Sequence, residues 1–235
     1  TPGISSAASD VYKRQGVFSS SISIDKELSK KIFKQNSILT PKCIKLSDIN
    51  NINIKRLINK IKKKLKFPVV IKPLNEGSSV GVYICNKSNL KINLKKLNFY
   101  NEILVEKYIP GREIQAAILG KKKIGAIELI PSRKFYDYKA KYNKNAKTKH
   151  VMPANISIKN YKIVNEIAYK VHRLLKCRGV SRSDFRFYKN KFYLLELNTQ
   201  PGMTALSLVP EIAKYNGINF DKLIDILIKD ASINK

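Results

Sequence analysis

A chain of 235 residues with 43% hydrophobic content is long enough for one or two domains with a buried core. Its net charge of +29 would suggest nucleic acid or an anionic membrane as a partner, but Lys is abundant everywhere alongside Ile and Asn, as A/T-rich codons would produce. Three scattered cysteines, two histidines and no long apolar run argue against disulfides, zinc and a membrane span, and favour the cytoplasm.

Residues 1–15 are rich in Ser and Ala and nearly free of Lys and Ile, so we exclude them from the fold as a leader foreign to it. Residues 38–47 predict a turn and a short strand, and residues 52–66 predict a basic amphipathic helix whose lysines are exposed. The densest run of positive charge lies on this helix, so it does not predict an RNA-binding arm.

Residues 67–73 predict an apolar strand that ends next to Lys72, and the polar loop 75–81 follows at once. A strand that leads into a Gly/Ser loop exposes backbone N–H groups, which can cradle phosphate oxygens while a lysine adds charge. The spacing is neither a Walker A motif nor G-x-G-x-x-G, so the residues alone also allow an ordinary hairpin turn.

The next segments predict a strand at 103–109 and a hairpin formed by 114–119 and 124–130. Tyrosines alternate with lysines in the loop that opens at residue 135, a pattern that could also stack on single-stranded nucleic acid. Residues 160–176 carry an apolar stripe of helical period, and Gly179 ends that helix. A closing helix is predicted at 219–229.

Residues 180–198 predict a hairpin with its turn at Lys189-Asn190. Strand alternation places Arg182 with Asp184 on one face, and Glu196 with Asn198 on one face, while Leu195 and Leu197 point the other way. Two carboxylates and an amide oxygen suit Mg²⁺ or Mn²⁺. Solvated carboxylates paired with lysines are the alternative interpretation of these residues.

The order R-x-D, a hairpin, then L-L-E-x-N-T-x-P-G-M-T-x-x-S-L-V-P resembles the carboxy-terminal signature of the D-alanine–D-alanine ligases, in the ATP-grasp superfamily. The resemblance runs from Gly16 to about Lys229. It implies an α+β class and an ATP-grasp fold: a central lobe over 16–107, a carboxy-terminal lobe over 108–235 with a mobile loop and a metal hairpin, and a nucleotide cleft between the lobes.

The resemblance also implies a set of nucleotide contacts. Lys26, Lys72 and the loop residue Ser79 would bind ATP phosphates, and Lys141 would contact the γ-phosphate. Adenine would meet the segment that contains Glu106, Lys107 and Ile109, and Glu113 would accept hydrogen bonds from the ribose hydroxyls.

For catalysis, the resemblance implies that Asp184, Glu196 and Asn198 hold Mg²⁺ or Mn²⁺. Arg182 and the backbone N–H of Gly202 would stabilise an oxyanion. Other residues would serve the second substrate. Ser207 and Leu208 would hold its carboxylate, and Tyr142 would join a hydrogen-bond network with Ser78 that fixes the mobile loop over it, the loop from which Lys141 contacts the γ-phosphate.

The implied reaction joins two D-alanine molecules through an acyl phosphate, at the expense of ATP, for peptidoglycan precursor synthesis. It needs neither a nucleic-acid nor a membrane partner, and it leaves a homodimer open. Family members carry an amino-terminal domain before the segment that begins here at Gly16, so we expect the chain as written to bind ATP without ligating.

Three alternatives remain open at this point. A nucleic-acid-binding protein would show a steep salt dependence of polynucleotide binding. A nucleotide-binding module without turnover would show no D-alanine-dependent ATP hydrolysis. Another ATP-grasp ligase would use a different amino acid, against which Tyr142 and Ser207 argue.

Overall fold

A computed structural model describes residues 15–77, 79–131, 148–204 and 207–231. The chain divides into two compact units, which we name by their sheets. The four-stranded unit comprises Ile24–Pro110 and Pro131–Thr148, and the five-stranded unit comprises Thr1–Ser23, Gly111–Ile130 and Lys149–Lys235.

The first helix groups with the five-stranded unit up to Ser23, whereas we predicted residues 16–23 in the central lobe. Gln15 supplies a physical reason, because its side-chain amide donates to the carbonyl oxygens of Arg178 and Val180, the latter at 2.9 Å. Its side-chain oxygen accepts a hydrogen bond from the Arg178 N–H at 2.8 Å. The described fold therefore includes Gln15, although the composition of residues 1–15 predicts that it belongs to the leader.

The four-stranded unit is an antiparallel sheet with helices packed against it. Helix α1 (Val17–Ile24) comes first in the described chain. The elements of the four-stranded unit follow it: α2 (Lys26–Gln35), β1 (Cys43–Ser47), a 3₁₀ turn (Ile49–Asn51), α3 (Ile54–Lys64), β2 (Val69–Pro73), β3 (Tyr83–Cys85), α4 (Leu90–Lys95) and β4 (Glu102–Lys107). The strand order is β1-β4-β2-β3. Strands β2 and β4 are therefore the two central strands of the sheet, and they lie next to each other.

Helix α3 shows why the basic segment folds onto this sheet. Leu57 and Ile61 lie one turn apart and are buried, while the lysines of the helix lie on its exposed side. Asn53 caps the helix by accepting a hydrogen bond from the Arg56 N–H at 3.0 Å. The predicted basic amphipathic helix is confirmed.

The five-stranded unit is also antiparallel, in the order β7-β6-β5-β8-β9. Its elements are β5 (Arg112–Leu119), β6 (Lys122–Ile130), β7 (Lys149–Val151), α5 (Ile158–Leu174), β8 (Val180–Tyr188), β9 (Lys191–Asn198), α6 (Leu208–Tyr215) and α7 (Phe220–Asp230). Both predicted hairpins and both predicted helices are confirmed. Helix α5 buries Val164, Ala168 and Val171 on the face that packs on β5 and β6.

The β8–β9 hairpin turns at Lys189 and Asn190, whose φ angles of 48° and 56° suit a two-residue turn. Asp184 lies directly opposite Glu196, but the next pair is Phe185 with Leu194, so the register shifts there. Leu195 is the extra residue of a bulge. The alternation predicted for β9 is therefore wrong at Leu195, and Leu194 is the buried residue instead.

No helix within the described ranges is both long and apolar enough to cross a bilayer.

Candidate functional site

Helix α2 places Lys26 at its first position. The Asp25 side chain caps the helix by accepting from the N–H groups of Glu27 and Leu28, each at 2.9 Å. Lys26 is buried, and its Nζ donates to the carbonyl oxygen of Leu74 at 3.1 Å and to that of Glu76. The lysine thus ties the helix start to the backbone of the loop that follows β2.

That loop makes a tight turn after β2. The Val80 N–H donates to the Gly77 carbonyl oxygen at 3.0 Å, and Ser79 and Gly81 have φ angles of 62° and 67°. A Cβ on Gly81 would lie 2.9 Å from Cγ of Pro73, so only glycine fits this position. Ser78, which we predicted to act in the substrate network, lies outside the described residues.

Three charged side chains of the four-stranded unit contact one another, and we call Lys30, Glu106 and Lys72 the buried charge cluster. Lys30 Nζ lies 2.8 Å from Oε1 of Glu106, and Lys72 Nζ lies 2.8 Å from Oε2 of the same carboxylate. Lys30 also donates to Oγ1 of Thr40 at 2.8 Å. Their side chains are 1%, 3% and 9% exposed, in the order Lys30, Glu106, Lys72.

The protonation states of this cluster follow from its geometry. Burial opposes the charge of Glu106, but the two neighbouring ammonium groups outweigh it and lower the pKa of the carboxyl to about 2. Burial lowers the pKa of Lys30 below its ordinary value, and the adjacent Glu106 carboxylate opposes that change. The structure therefore brings the predicted residues Lys72 and Glu106 into direct contact through one carboxylate.

Lys30 is the residue that the sequence analysis missed. It lies one helical turn after Lys26, on the face of α2 that also buries Phe33. The signal was present, because an i, i+4, i+7 stripe that ends in a phenylalanine is the pattern of a buried helix face.

Two further predicted nucleotide residues lie at and beyond the end of β4. Lys107 is exposed, and its N–H donates to the Lys42 carbonyl oxygen at 2.8 Å. Ile109 is buried. In the segment predicted to contact adenine, the exposed side chain of Lys107 is thus followed two residues later by the buried side chain of Ile109.

Glu113, the predicted ribose ligand, lies near the start of β5 in the five-stranded unit. Its Oε1 lies 2.6 Å from Nη2 of Arg186, and Nη1 of that arginine donates to the Gly111 carbonyl oxygen at 2.9 Å. Arg186 is a second residue that the sequence analysis did not single out. It fixes the orientation of the carboxylate from the neighbouring strand β8.

The polar end of the β8–β9 hairpin assembles the predicted metal residues. Arg182 Nε donates to Oδ1 of Asp184 at 2.8 Å, and its Nη2 donates to Oδ2 at 3.0 Å. Asn198 Nδ2 donates to the same Oδ2 at 3.1 Å. Glu196 is the register partner of Asp184 across the two strands. These four residues therefore lie together, as the sequence predicts.

The donor set fits a hard divalent cation. Asp184, Glu196 and Asn198 offer only carboxylate and amide oxygens, which Mg²⁺ and Mn²⁺ prefer. A carboxylate oxygen has two lone pairs, so the hydrogen bond from Arg182 leaves Oδ1 of Asp184 able to contact a cation as well. In the described part of the chain no group of three or more His, Cys, Asp or Glu side chains forms a metal cluster, so a cation here would depend on the two carboxylates and the amide.

The turn after β9 brings Gly202 against the start of α6. A Cβ on Gly202 would lie 2.8 Å from Oγ of Ser207, so a larger residue would displace that hydroxyl. Ser207 is the N-cap residue of α6, and its Oγ accepts from the Thr204 N–H at 2.9 Å. Leu208 is buried at the first helical position. The remaining predicted residues, Lys141 and Tyr142, lie outside the described ranges.

Known proteins are similar to this chain over most of its length. A family model described as D-ala D-ala ligase C-terminus matches residues 32–229. A protein of Pelagibacter ubique named D-alanine–D-alanine ligase is 61% identical over 225 residues, which cover 95% of this chain and 73% of the relative.

Solved structures agree with the sequence matches. The crystal structure of the Bacillus anthracis protein named D-alanine–D-alanine ligase has a TM-score of 0.81 at 34% identity, and the match covers 97% of this chain and 73% of that one. The same protein complexed with ATP gives a TM-score of 0.77 at 29% identity, over 97% of this chain and 72% of that one. The predicted α+β class is confirmed.

Proposed function

This chain belongs to the D-alanine–D-alanine ligase family and has its ATP-grasp fold. From this membership we propose that, together with an amino-terminal domain of the kind that family members carry, it joins two D-alanine molecules into D-alanyl-D-alanine at the expense of ATP. The first D-alanine carboxylate would attack the γ-phosphorus and release ADP. The amine of the second D-alanine would then attack the acyl carbonyl carbon, and inorganic phosphate would leave. The dipeptide serves peptidoglycan precursor synthesis.

The observation that carries the proposal is the polar end of the β8–β9 hairpin. Asp184 is buried and directly opposite Glu196, while Arg182 and Asn198 both contact its carboxylate. A solvated surface carboxylate accepts hydrogen bonds from water, so it would not need one side-chain donor on its own strand and another on the neighbouring strand. This arrangement favours a preorganised site for phosphoryl chemistry.

In this proposal ATP is the bound nucleotide. The phosphates contact lysines and the loop after β2, adenine contacts the end of β4, and the ribose contacts a carboxylate on β5. The residues for the phosphates are Lys26, Lys72, Ser79 and Lys141, and the residue for the ribose is Glu113. Adenine would contact the segment that contains Glu106, Lys107 and Ile109, largely through backbone groups of Lys107 and Ile109. The ATP complex of the Bacillus anthracis relative supports a nucleotide as the ligand.

Asp184, Glu196 and Asn198 would hold Mg²⁺ or Mn²⁺, which supplies charge neutralisation of phosphate oxygens when it is bound. Arg182 already lies against Asp184 and is 14% exposed, so its orientation is set before substrate arrives. Its guanidinium and the backbone N–H of Gly202 would donate to the oxygen that becomes negative when the amine adds to the carbonyl carbon.

The second D-alanine would place its carboxylate at Ser207 and Leu208, at the amino-terminal end of α6. Helix N-termini favour anions because their first N–H groups have no intrahelical acceptor. Ser78 and Tyr142 would close the substrate network, and Lys141 would reach the γ-phosphate. We also place the reaction in the cytoplasm, where ATP is supplied, and the three free thiols suit a reducing compartment.

The test compares Asp184→Asn and Glu196→Gln with Asp225→Asn, a control in which an exposed carboxylate paired with Lys229 is neutralised. D-Alanine-dependent phosphate release is measured in the intact protein at several Mg²⁺ concentrations, with circular dichroism as a check of folding. We expect both hairpin variants to lose turnover with an unchanged spectrum, and the control to keep it. Rates near wild type in the two hairpin variants would overturn the proposal.

A further inference from the structure

Lys30 is the most deeply buried cation of the four-stranded unit among the residues described. Its side chain is 1% exposed, and its ammonium contacts Oε1 of Glu106 and Oγ1 of Thr40, each at 2.8 Å. Burying a lysine is costly unless its charge is paired and its donors are satisfied. None of the family's contacts that the sequence predicts uses this residue, so its burial needs another explanation.

The buried charge cluster joins two lysines to one carboxylate. Lys30 and Lys72 share the single carboxylate of Glu106, so two cations face one anion in a region that water hardly reaches. A pair built only for stability would need one lysine, because a second buried cation adds desolvation cost and repulsion. Of the two lysines Lys72 is the more exposed, at 9% against 1% for Lys30, so it is the one that a phosphate oxygen can approach.

The geometry shows how Lys30 could act on Lys72. A carboxylate group is planar, so holding Oε1 at Lys30 also fixes the direction in which Oε2 accepts. Thr40 fixes the Lys30 ammonium from another side. Lys72 then has one preferred position, 2.8 Å from Oε2, rather than the many that its four-carbon side chain allows.

We propose that Lys30 is a positioning residue of the nucleotide site, which holds the Glu106 carboxylate so that its second oxygen sets the Lys72 ammonium where phosphate oxygens bind. The inference rests on the proposed phosphate-binding role of Lys72. Lys30 itself does not touch the nucleotide in this arrangement, so its removal weakens phosphate contacts through Lys72 and leaves contacts to the nucleoside unchanged.

The test measures dissociation constants for ADP and for adenosine in Lys30→Met, Lys30→Arg and Lys34→Met. The last is the matched control, since Lys34 is exposed on the same helix. We expect Lys30→Met to weaken ADP binding about tenfold, the loss of roughly one charge-assisted contact, with adenosine binding unchanged. Lys30→Arg restores part of the loss, and Lys34→Met behaves as wild type.

A double-mutant cycle with Lys72→Met separates positioning from general destabilisation. If Lys30 acts through Lys72, then Lys30→Met weakens ADP binding no further in a chain that already carries Lys72→Met. Additive losses, or equal losses for ADP and adenosine, would overturn the inference. Thr40→Val supplies a milder perturbation if Lys30→Met does not fold, and it should weaken ADP but not adenosine binding in the same sense.

The outcomes distinguish this inference from the proposed function. A wild-type protein that binds neither ADP nor ATP would end both. If the wild type binds ADP and both Lys30→Met and Thr40→Val bind it with the same dissociation constant, the positioning role of Lys30 is refuted and the proposed function is not. In that case Lys30 serves only the stability of the four-stranded unit.

Discussion

Replacing Glu106 with Gln removes the only anion of the buried charge cluster and should lower stability strongly at neutral pH. The carboxyl pKa lies at about 2 in the folded protein against an ordinary value of 4.5. Each unit of difference between the folded and the unfolded pKa corresponds to about 1.4 kcal/mol, so the charged carboxylate contributes about 3 kcal/mol to the stability of the folded protein. Breaking a buried ion pair on one side costs about 3 to 5 kcal/mol, which agrees in scale.

The pH dependence has a definite sign. Since the folded pKa is lower than the unfolded one, the contribution of Glu106 is complete above pH 4.5 and is lost as the pH falls toward 2. The stability difference between wild type and Glu106→Gln should therefore be largest near neutral pH and should shrink steadily below pH 4.5. Other carboxyl groups titrate in both proteins, so they cancel in the difference.

Urea unfolding followed by far-ultraviolet circular dichroism measures this difference, because the chain contains no tryptophan for fluorescence. Glu102→Gln is the control, since Glu102 lies on the same strand, pairs with Lys45 and is 35% exposed. An exposed pair contributes about 1 kcal/mol or less. A Glu106→Gln difference that stays constant between neutral pH and pH 3, or that is no larger than for the control, would refute the assigned charge balance.

Two further predictions concern the reaction. Arg182→Ala should lower the rate of D-alanine-dependent phosphate release by about 10²–10³, as for other single oxyanion donors, and a rate within a few-fold of wild type would contradict its role. The family resemblance associates a tyrosine at position 142 with dipeptide formation and a phenylalanine there with the use of D-lactate. The wild type should therefore make mainly D-alanyl-D-alanine when D-alanine and D-lactate compete, and Tyr142→Phe should shift the products toward the depsipeptide. A wild type that makes mainly the depsipeptide would contradict this.

The sequence predicts the β8–β9 hairpin well because its signals are local. Arg182, Asp184, Glu196 and Asn198 are spaced by two along strands with a clear turn between them, so alternation alone brings them together. The register shift at Leu195 could not be predicted, because a bulge leaves the composition of a strand unchanged.

Other features depend on contacts between distant parts of the chain. The stripe of Lys26, Lys30 and Phe33 indicates the buried face of helix α2, but it does not reveal that Glu106 and Thr40 contact the Lys30 ammonium, because both lie outside that helix. Helix α6 is not among the elements that the sequence predicts. Its start is fixed by the turn in which Oγ of Ser207 accepts a hydrogen bond from the Thr204 N–H. Propensity and period describe a segment, but burial of a charge is decided by its partners.

The bulge at Leu195 also bears on how this hairpin can change in evolution. One extra residue uncouples the two halves of strand β9, so the half near the turn, with Phe185 opposite Leu194, follows its own inside–outside alternation. Substitutions and changes of length near Lys189 and Asn190 can then be absorbed without turning Glu196 and Asn198 to the opposite face. Deleting Leu195 itself would remove that independence, and the two halves would compete for a single register.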